Sequence, residues 1–237
     1  FEKINVQSDS FSAEMFVDDI SLQLLDGHAG ATRRRCNHNL DFQGKKIRLK
    51  GATTETTVID CGGTGTVLGP VPKRGLIFVS NEDRETVVEK LTVRNCRSAY
   101  GGLTDDLRHA GDKINVGNDA SNYLGGAIVI RNSGPSLIDM ALVGNRANYG
   151  GSIAIDSRSQ AVLRPLLSNV DIKDSHARGS AIHATLACFD WIGGEISGCD
   201  NNPVILNVVS SSCTAGIRLQ DLVVTNNIDA TQYSGAF

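Results

Sequence analysis

Apolar positions recur in five segments that superpose without a gap: TVVEKLTVRN (86–95), SLIDMALVGN (136–145), PLLSNVDIKD (165–174), FDWIGGEISG (189–198) and IRLQDLVVTN (217–226). Aligned this way, the third position is held by Val88, Ile138, Leu167, Trp191 and Leu219, and the eighth by Val93, Val143, Ile172, Ile196 and Val224. The sixth, Leu91, Ala141, Val170, Gly194 and Leu222, is small or apolar throughout. Each segment closes on Asn95, Asn145, Asp174, Gly198 or Asn226, residue types that tolerate a left-handed backbone. Alternation across positions six to eight is the period of a strand. The closing residues lie 50, 29, 24 and 28 apart, which is the spacing of a repeat array whose first interval carries an insertion. A repeat this short has no room for a strand, helix, strand crossover with its loops. The pattern therefore predicts an all-β chain, a parallel β-solenoid in which each repeat covers its neighbour's apolar residues at a spacing of about 4.8 Å.

A second set of positions starts at small residues. GGAIVIR (125–131), GGSIAID (150–156) and GSAIHAT (179–185) predict strands with Ile128, Ile153 and Ile182 inward and Val129, Ala154 and His183 outward. Two residues on, Arg131, Asp156 and Thr185 are expected as exposed neighbours, with Arg131 and Asp156 paired. Upstream, LDFQGKKIRLKG (40–51) reads as one strand with Ile47 and Leu49 inward, and TTVIDCGG (56–63) as another with Val58 and Ile59 inward. Residues 1–35 break the repeat and are assigned to an N-terminal cap, with one or two helical turns in SAEMFVDD (12–19). Residues 36–237 form the solenoid, and the polar segment from Thr104 to Asn122 is an insertion expected to project from it. YSGAF (233–237) reads as the opening of a further strand, so the chain is expected to continue or its last repeat to meet a partner.

The paired-glycine openings at Gly125 and Gly150, the related one at Gly179, and the Asn-x-Ala element from Asn145 to Ala147 resemble the repeat of chlamydial polymorphic outer membrane proteins. Cys36 with NLDFQGKKIRLKG and TTVIDCGG is similar to the first coils of right-handed parallel β-helix proteins related to pectate lyases. Over residues 36–237 the resemblance implies a right-handed, single-stranded parallel β-helix and extracellular or cell-surface placement. It transfers no catalytic residue, because this architecture carries lyases, hydrolases, epimerases and adhesins alike.

Composition narrows the reading. Aromatic residues are only 5% of the chain against 41% apolar, which suits a narrow core of Val, Ile and Leu. A net charge of -3 supplies no field for nucleic acid, and no apolar run approaches the roughly 20 residues of a membrane span. The chain begins at Phe1 without a visible leader, as a processed product or an excised piece would. None of its six cysteines has zinc-site spacing. An even number is compatible with disulfides and an oxidising compartment, and Cys36–Cys61 and Cys199–Cys213 are the pairs expected first.

Candidate chemistry is sparse. Asp171 and Glu195 share the seventh position on successive repeats, with Lys173 two residues along, as a general acid and base or a Ca2+ site would require. Their neighbours in the file, Leu142 and Val223, are apolar, and exposed carboxylates and lysines are ordinary on such a face. His183, beside Thr185 and near Asp156 and Arg131, is a candidate base or binding patch. Asp105, Asp106 and His109 in the insertion are ligand-type residues, whereas Trp191 is assigned to the core. There is no phosphate loop, nucleophile elbow or cofactor fingerprint. The expectation is a non-catalytic extracellular solenoid, structural, adhesive or filament-forming, without cofactor, meeting protein subunits or surface glycans. The alternative is a polysaccharide-active enzyme or carbohydrate-binding module of the pectate-lyase type, the only case in which Ca2+ is implied.

Overall fold

The computed structural model describes residues 13–16, 38–62, 73–98, 124–157, 163–177, 180–199, 205–208 and 216–227, and every regular element among them is a β-strand. All paired strands are parallel. The largest sheet runs through Ala13–Phe16, Ile47–Lys50, Val87–Glu89, Ser136–Val143, Leu166–Lys173, Asp190–Ile192 and Arg218–Gln220. Val58–Asp60, Thr92–Arg94, Glu195–Ser197 and Val223–Thr225 extend the same sheet along the strand direction. A second sheet stacks Leu40–Asp41, Leu76–Phe78, Ile128–Arg131, Ile153–Asp156, Ile182–Thr185 and Ile205–Val208. Arg146–Ala147 and His176–Ala177 make a short third ladder. One repeat therefore passes from the second sheet to the largest, then through the short ladder and back.

The core is made where inward files face one another. Ile59, Val93, Leu142, Ile172 and Ile196 are strand partners in sequence and all fully buried. Leu49, Val88, Leu137, Leu167 and Trp191 form a parallel file in the same sheet. From the second sheet Leu76, Ile128, Ile153 and Ile182 face them, followed by Phe78, Ile130, Ile155 and Ala184. Phe42 stacks on Phe78 with ring centroids 4.6 Å apart. Each file buries branched side chains at about 25 cal/mol per Å2 of apolar surface, and neither sheet can do so alone.

Several expectations change at this level. Segment 136–145 is slipped by one residue: Leu137, Met140 and Leu142 enter the core files, and Ile138, Ala141 and Val143 face outward. Gly144, with φ 61°, then takes the closing left-handed position in line with Asn95, Asp174, Gly198 and Asn226, whose φ values lie between 52° and 63°. LDFQGKKIRLKG holds two strands in two sheets, because Gln43 and Gly44 turn the chain with positive φ. Val58 points outward, and Ala13–Phe16, within the segment expected to be helical, is a strand paired with Ile47–Lys50. The remainder of the segment expected to form a cap, and the whole of the expected insertion, lie outside the described residues. At the last described layer Leu219 and Val224 continue the inward files, yet are 40% and 38% exposed, since no described strand follows them.

The paired glycines have two separate causes. Gly125 and Gly150 adopt φ of 63° and 64°, and a Cβ there would also press on the carbonyl oxygens of Ile128 and Ile153. Gly126 and Gly151 sit where a Cβ would press on the backbone of Arg146 and of His176. The short third ladder can close on the second sheet only if both positions lack a side chain.

Cys61 and Cys96 are bonded, with Cα atoms 4.8 Å apart. The Cys36–Cys61 pairing is thereby excluded: Cys61 and Cys96 follow the adjacent core residues Ile59 and Val93, which places them on neighbouring repeats. Closing a loop of 35 residues stabilises by about 4 kcal/mol in the chain-entropy account. Cys188 is also disulfide-bonded. Cys199 is buried with its Sγ 3.6 Å from the Ser197 carbonyl and forms no disulfide, which excludes the expected Cys199–Cys213 pairing, while Cys36 and Cys213 lie outside the described residues.

Candidate functional site

The outward residues of the largest sheet alternate with the core files, so strand register decides which of them meet. Ile172 pairs with Ile196, which brings Asp171 and Glu195 onto neighbouring strands. The Glu195 backbone N–H donates to Asp171 Oδ1 at 3.0 Å, and Lys173 Nζ lies 3.3 Å from Asp171 and 3.6 Å from Glu195. Thr225 donates its hydroxyl to Glu195 from the next strand, at 3.1 Å. The three residues singled out from sequence are thus brought together. Their neighbours in the seventh file are Ala141, in place of the expected Leu142, and Val223.

Electrostatics sets what this group can do. The Glu195 carboxyl is held below its ordinary range, first by hydrogen bonding to Ser197, then to Thr225, with the Lys173 charge adding to both. Burial works against the Lys173 ammonium, but Asp171 and Glu195 together outweigh it and raise its pKa. A general acid for glycosidic cleavage must instead hold its proton near neutrality. What stands here is an ion-paired lattice laid across strands, repeated elsewhere on the sheet. Arg94 bonds Asp60 at 2.8 Å, and Arg48 and Lys50 reach the buried Glu89 at 2.9 and 3.5 Å. Asp190 takes Arg84 at 2.5 Å and Arg164 at 2.6 Å; burial opposes its charged form, yet the two guanidiniums hold its pKa low.

The second candidate lies on the outer side of the second sheet. Arg131, Asp156 and Thr185 are strand partners, as expected, and Arg131 Nε stands 4.0 Å from Asp156. Asp156 is buried, so the pair is not the exposed one foreseen. His183 packs its ring against Tyr149, 5.3 Å between centroids, and shares a 2.9 Å hydrogen bond between Nε2 and the Thr185 hydroxyl. Its Nδ1 is buried with no hydrogen-bond partner. Desolvation pushes the imidazole pKa down, only partly opposed by Asp156. It is therefore a neutral ring in a half-buried seat. Asp105, Asp106 and His109 lie outside the described residues, and among those described no group of three His, Cys, Asp or Glu side chains is placed to hold a metal. Nor is any helix there long and apolar enough to cross a membrane.

Sequence reasoning missed the polar groups that do the most connecting. Buried Glu82 accepts from the Gly44 N–H at 2.9 Å, the Ser80 N–H at 2.9 Å and the Ser133 hydroxyl at 2.8 Å, tying successive turns at one corner. Asn145 is fully buried: its Oδ1 accepts from the Cys96 N–H at 3.0 Å and its Nδ2 donates to the Val93 carbonyl at 3.1 Å. Asn227 repeats that bracket on Cys199 and Ile196, at 3.0 and 3.1 Å. The signal available was an Asn following a left-handed residue, in Gly144-Asn145 and Asn226-Asn227.

The chain matches no family model, no curated protein and no solved structure.

Proposed function

We propose that the stacked strands close into a right-handed parallel β-helix capped at its N-terminal end, and that this solenoid is a non-catalytic, extracellular or cell-surface scaffold for adhesion or assembly. Handedness follows from the rule that parallel strands of one sheet are almost always joined by right-handed crossovers. Export is supported by the Cys61–Cys96 bridge and the bonded Cys188, since disulfides persist in oxidising compartments. The reading rests above all on one observation: Asp171, Lys173 and Glu195, the set best placed for acid and base chemistry, are spent on one another as ion pairs, with the Glu195 carboxyl held low. Side chains occupied in this way hold the rod together across strands, and the lowered Glu195 carboxyl is not poised to give up a proton near neutrality.

The test is incubation of the full chain with neutral and acidic polysaccharides, following chain length, new reducing ends and unsaturated products. No shortening is expected for any of them. Turnover that disappears in Glu195→Gln or Lys173→Ala would replace the scaffold by an enzyme of the polysaccharide lyase or hydrolase kind.

A further inference from the structure

One disulfide still lacks its second half. Cys188 is buried and bonded, in the connection from Ile182–Thr185 of the second sheet to Asp190–Ile192 of the largest. Of the six cysteines, Cys61 and Cys96 hold each other, which leaves Cys36, Cys199 and Cys213 as candidate partners. Strand register separates them.

Position along the stack excludes Cys36. Leu40 pairs with Leu76, and the ladder runs on through Ile128 and Ile153 to Ile182, four strand spacings away. Asp190 stands equally far from Arg48, through Leu166, Ser136 and Val87. Cys188, between Thr185 and Asp190, is therefore about 19 Å along the stack from the layer of Leu40. Asn39 is held in that layer by its bond to the Arg74 carbonyl, and Cys36 lies one residue beyond His38 and its neighbour Asn37. Two residues reach about 7 Å from His38, whereas a disulfide joins Cα atoms no more than about 6.8 Å apart.

Position across the sheet excludes Cys199. Cys188 precedes Asp190 and Cys199 follows Ser197, so they flank opposite ends of one repeat's strands. In the repeats before it, Ser136–Val143 and Leu166–Lys173 cross that width as continuous strands of 8 residues, about 26 Å. Cys199 keeps its thiol hydrogen, which it donates to the Ser197 carbonyl.

Cys213 satisfies both conditions. Thr185 pairs with Val208 and Asp190 with Arg218, so the segment joining Val208 to Arg218 connects the same two sheets one strand spacing from the segment that holds Cys188. The Arg218 N–H donates to the Phe189 carbonyl at 3.0 Å, and extending that ladder by one more residue sets Gly216 opposite Cys188. Cys213 is three residues from Gly216 in the chain. The bridge already described has the same relation: Cys61 and Cys96 join neighbouring repeats just beyond the paired strands Val58–Asp60 and Thr92–Arg94.

We propose that Cys188 is bonded to Cys213, and that this bridge clamps the last described repeat to the one before it. That repeat has most need of a clamp, since its Leu219, Val223 and Val224 are 40%, 54% and 38% exposed. A cross-link stabilises by restricting the unfolded chain, whatever apolar cover the folded repeat lacks. Formation takes two electrons and two protons from the pair. One cysteine thiolate attacks a small disulfide such as oxidised glutathione and expels one thiol; the second thiolate displaces the other, so the disulfide leaves as two thiols. The pairing goes beyond the scaffold reading and rests on extracellular placement only for the source of the oxidant.

The experiment uses the full chain oxidised in a glutathione redox buffer, which supplies the oxidant whatever the compartment. Thiols are alkylated, the chain is cleaved without reduction, and the peptides are read by mass spectrometry. The Cys188 peptide should be joined to the Cys213 peptide; a join to Cys36 or Cys199, or an alkylated Cys188, would overturn the pairing. Six cysteines less two bridges leaves two thiols in denatured wild type. Cys213→Ser should raise that to three and Cys36→Ser should lower it to one, whereas a Cys36–Cys188 bridge reverses the two results. Cys36→Ser touches neither bridge and keeps the test open if Cys213→Ser fails to fold. In the Cys188→Ser/Cys213→Ser double variant, amides of Arg218–Gln220 and Val223–Thr225 should exchange about tenfold faster than in wild type, with Thr92–Arg94 unchanged. Equal exchange at both places would overturn the clamp.

Discussion

At the scale of single residues, the stack depends on a few buried polar side chains that finish what the strand ladders leave open. Asn145 satisfies a backbone donor and a backbone acceptor of the preceding repeat with no exposure of its own. Removing it strands both groups away from water, so Asn145→Ala should cost about 2–4 kcal/mol in urea unfolding. A loss below 1 kcal/mol would mean that the bracket is not carrying the turn. His183 makes the complementary prediction with pH. Desolvation holds its folded pKa below the ordinary 6.5, so the unfolded chain binds a proton first as pH falls. Its contribution is complete above about pH 6.5 and is lost as the solution is acidified through the depressed folded value. Tyr149, Thr185 and Asp156 surround it, and only Asp156 opposes the effect. Wild type should therefore lose more stability than His183→Gln between pH 7 and pH 5 in thermal melts, and parallel losses would reject the assignment. Asp190, with its lowered carboxyl pKa, loses its share only at lower pH.

At the scale of the element, the repeat was legible and one register was not. Segments 86–95, 165–174, 189–198 and 217–226 align in the structure as the apolar spacing demands. SLIDMALVGN does not, because Leu137, Met140 and Leu142 or Ile138, Ala141 and Val143 supply equally apolar alternatives, and Gly144 and Asn145 both tolerate the closing turn. The deciding position is the fifth. Lys90, Asp139, Asn169, Gly193 and Asp221 all take positive φ there, and the slipped register would have forced Met140 into it. Asp, Asn and Gly accept that conformation more readily than a long apolar side chain, so residue types favour the observed register, although Lys90 shows that they do not enforce it. The row Lys73, Arg97, Arg146 and His176 was not legible, since its members are 24 to 49 residues apart and only backbone pairing assembles them. The disulfide falls between: both cysteines follow the same core file, but spacing by itself leaves the partner open. The corrected register predicts that Leu142→Ala costs about 2–5 kcal/mol through a core cavity. Val143→Ala, facing Arg94 and Lys173 outside, should cost under about 1 kcal/mol. The reverse order in equilibrium unfolding would restore the slipped alignment.

At the scale of the whole molecule, two sheets and a short ladder divide the surface by chemistry. The largest sheet neutralises its outward charges in pairs between strands, the second carries the half-buried His183 seat, and the third sets Arg146 beside His176. A scaffold of the proposed kind takes its rigidity from one spine shared by these faces. The spine is the premise on which the faces depend: if Ile59, Val93, Leu142, Ile172 and Ile196 are not in one internal file, the outward residues lose their neighbours too. A methyl-to-methyl nuclear Overhauser spectrum of the full chain reads that file directly. The account predicts an unbroken series of contacts from Ile59 through Val93, Leu142 and Ile172 to Ile196; contacts routed through Val143, or a series broken between Val93 and Ile172, would contradict it.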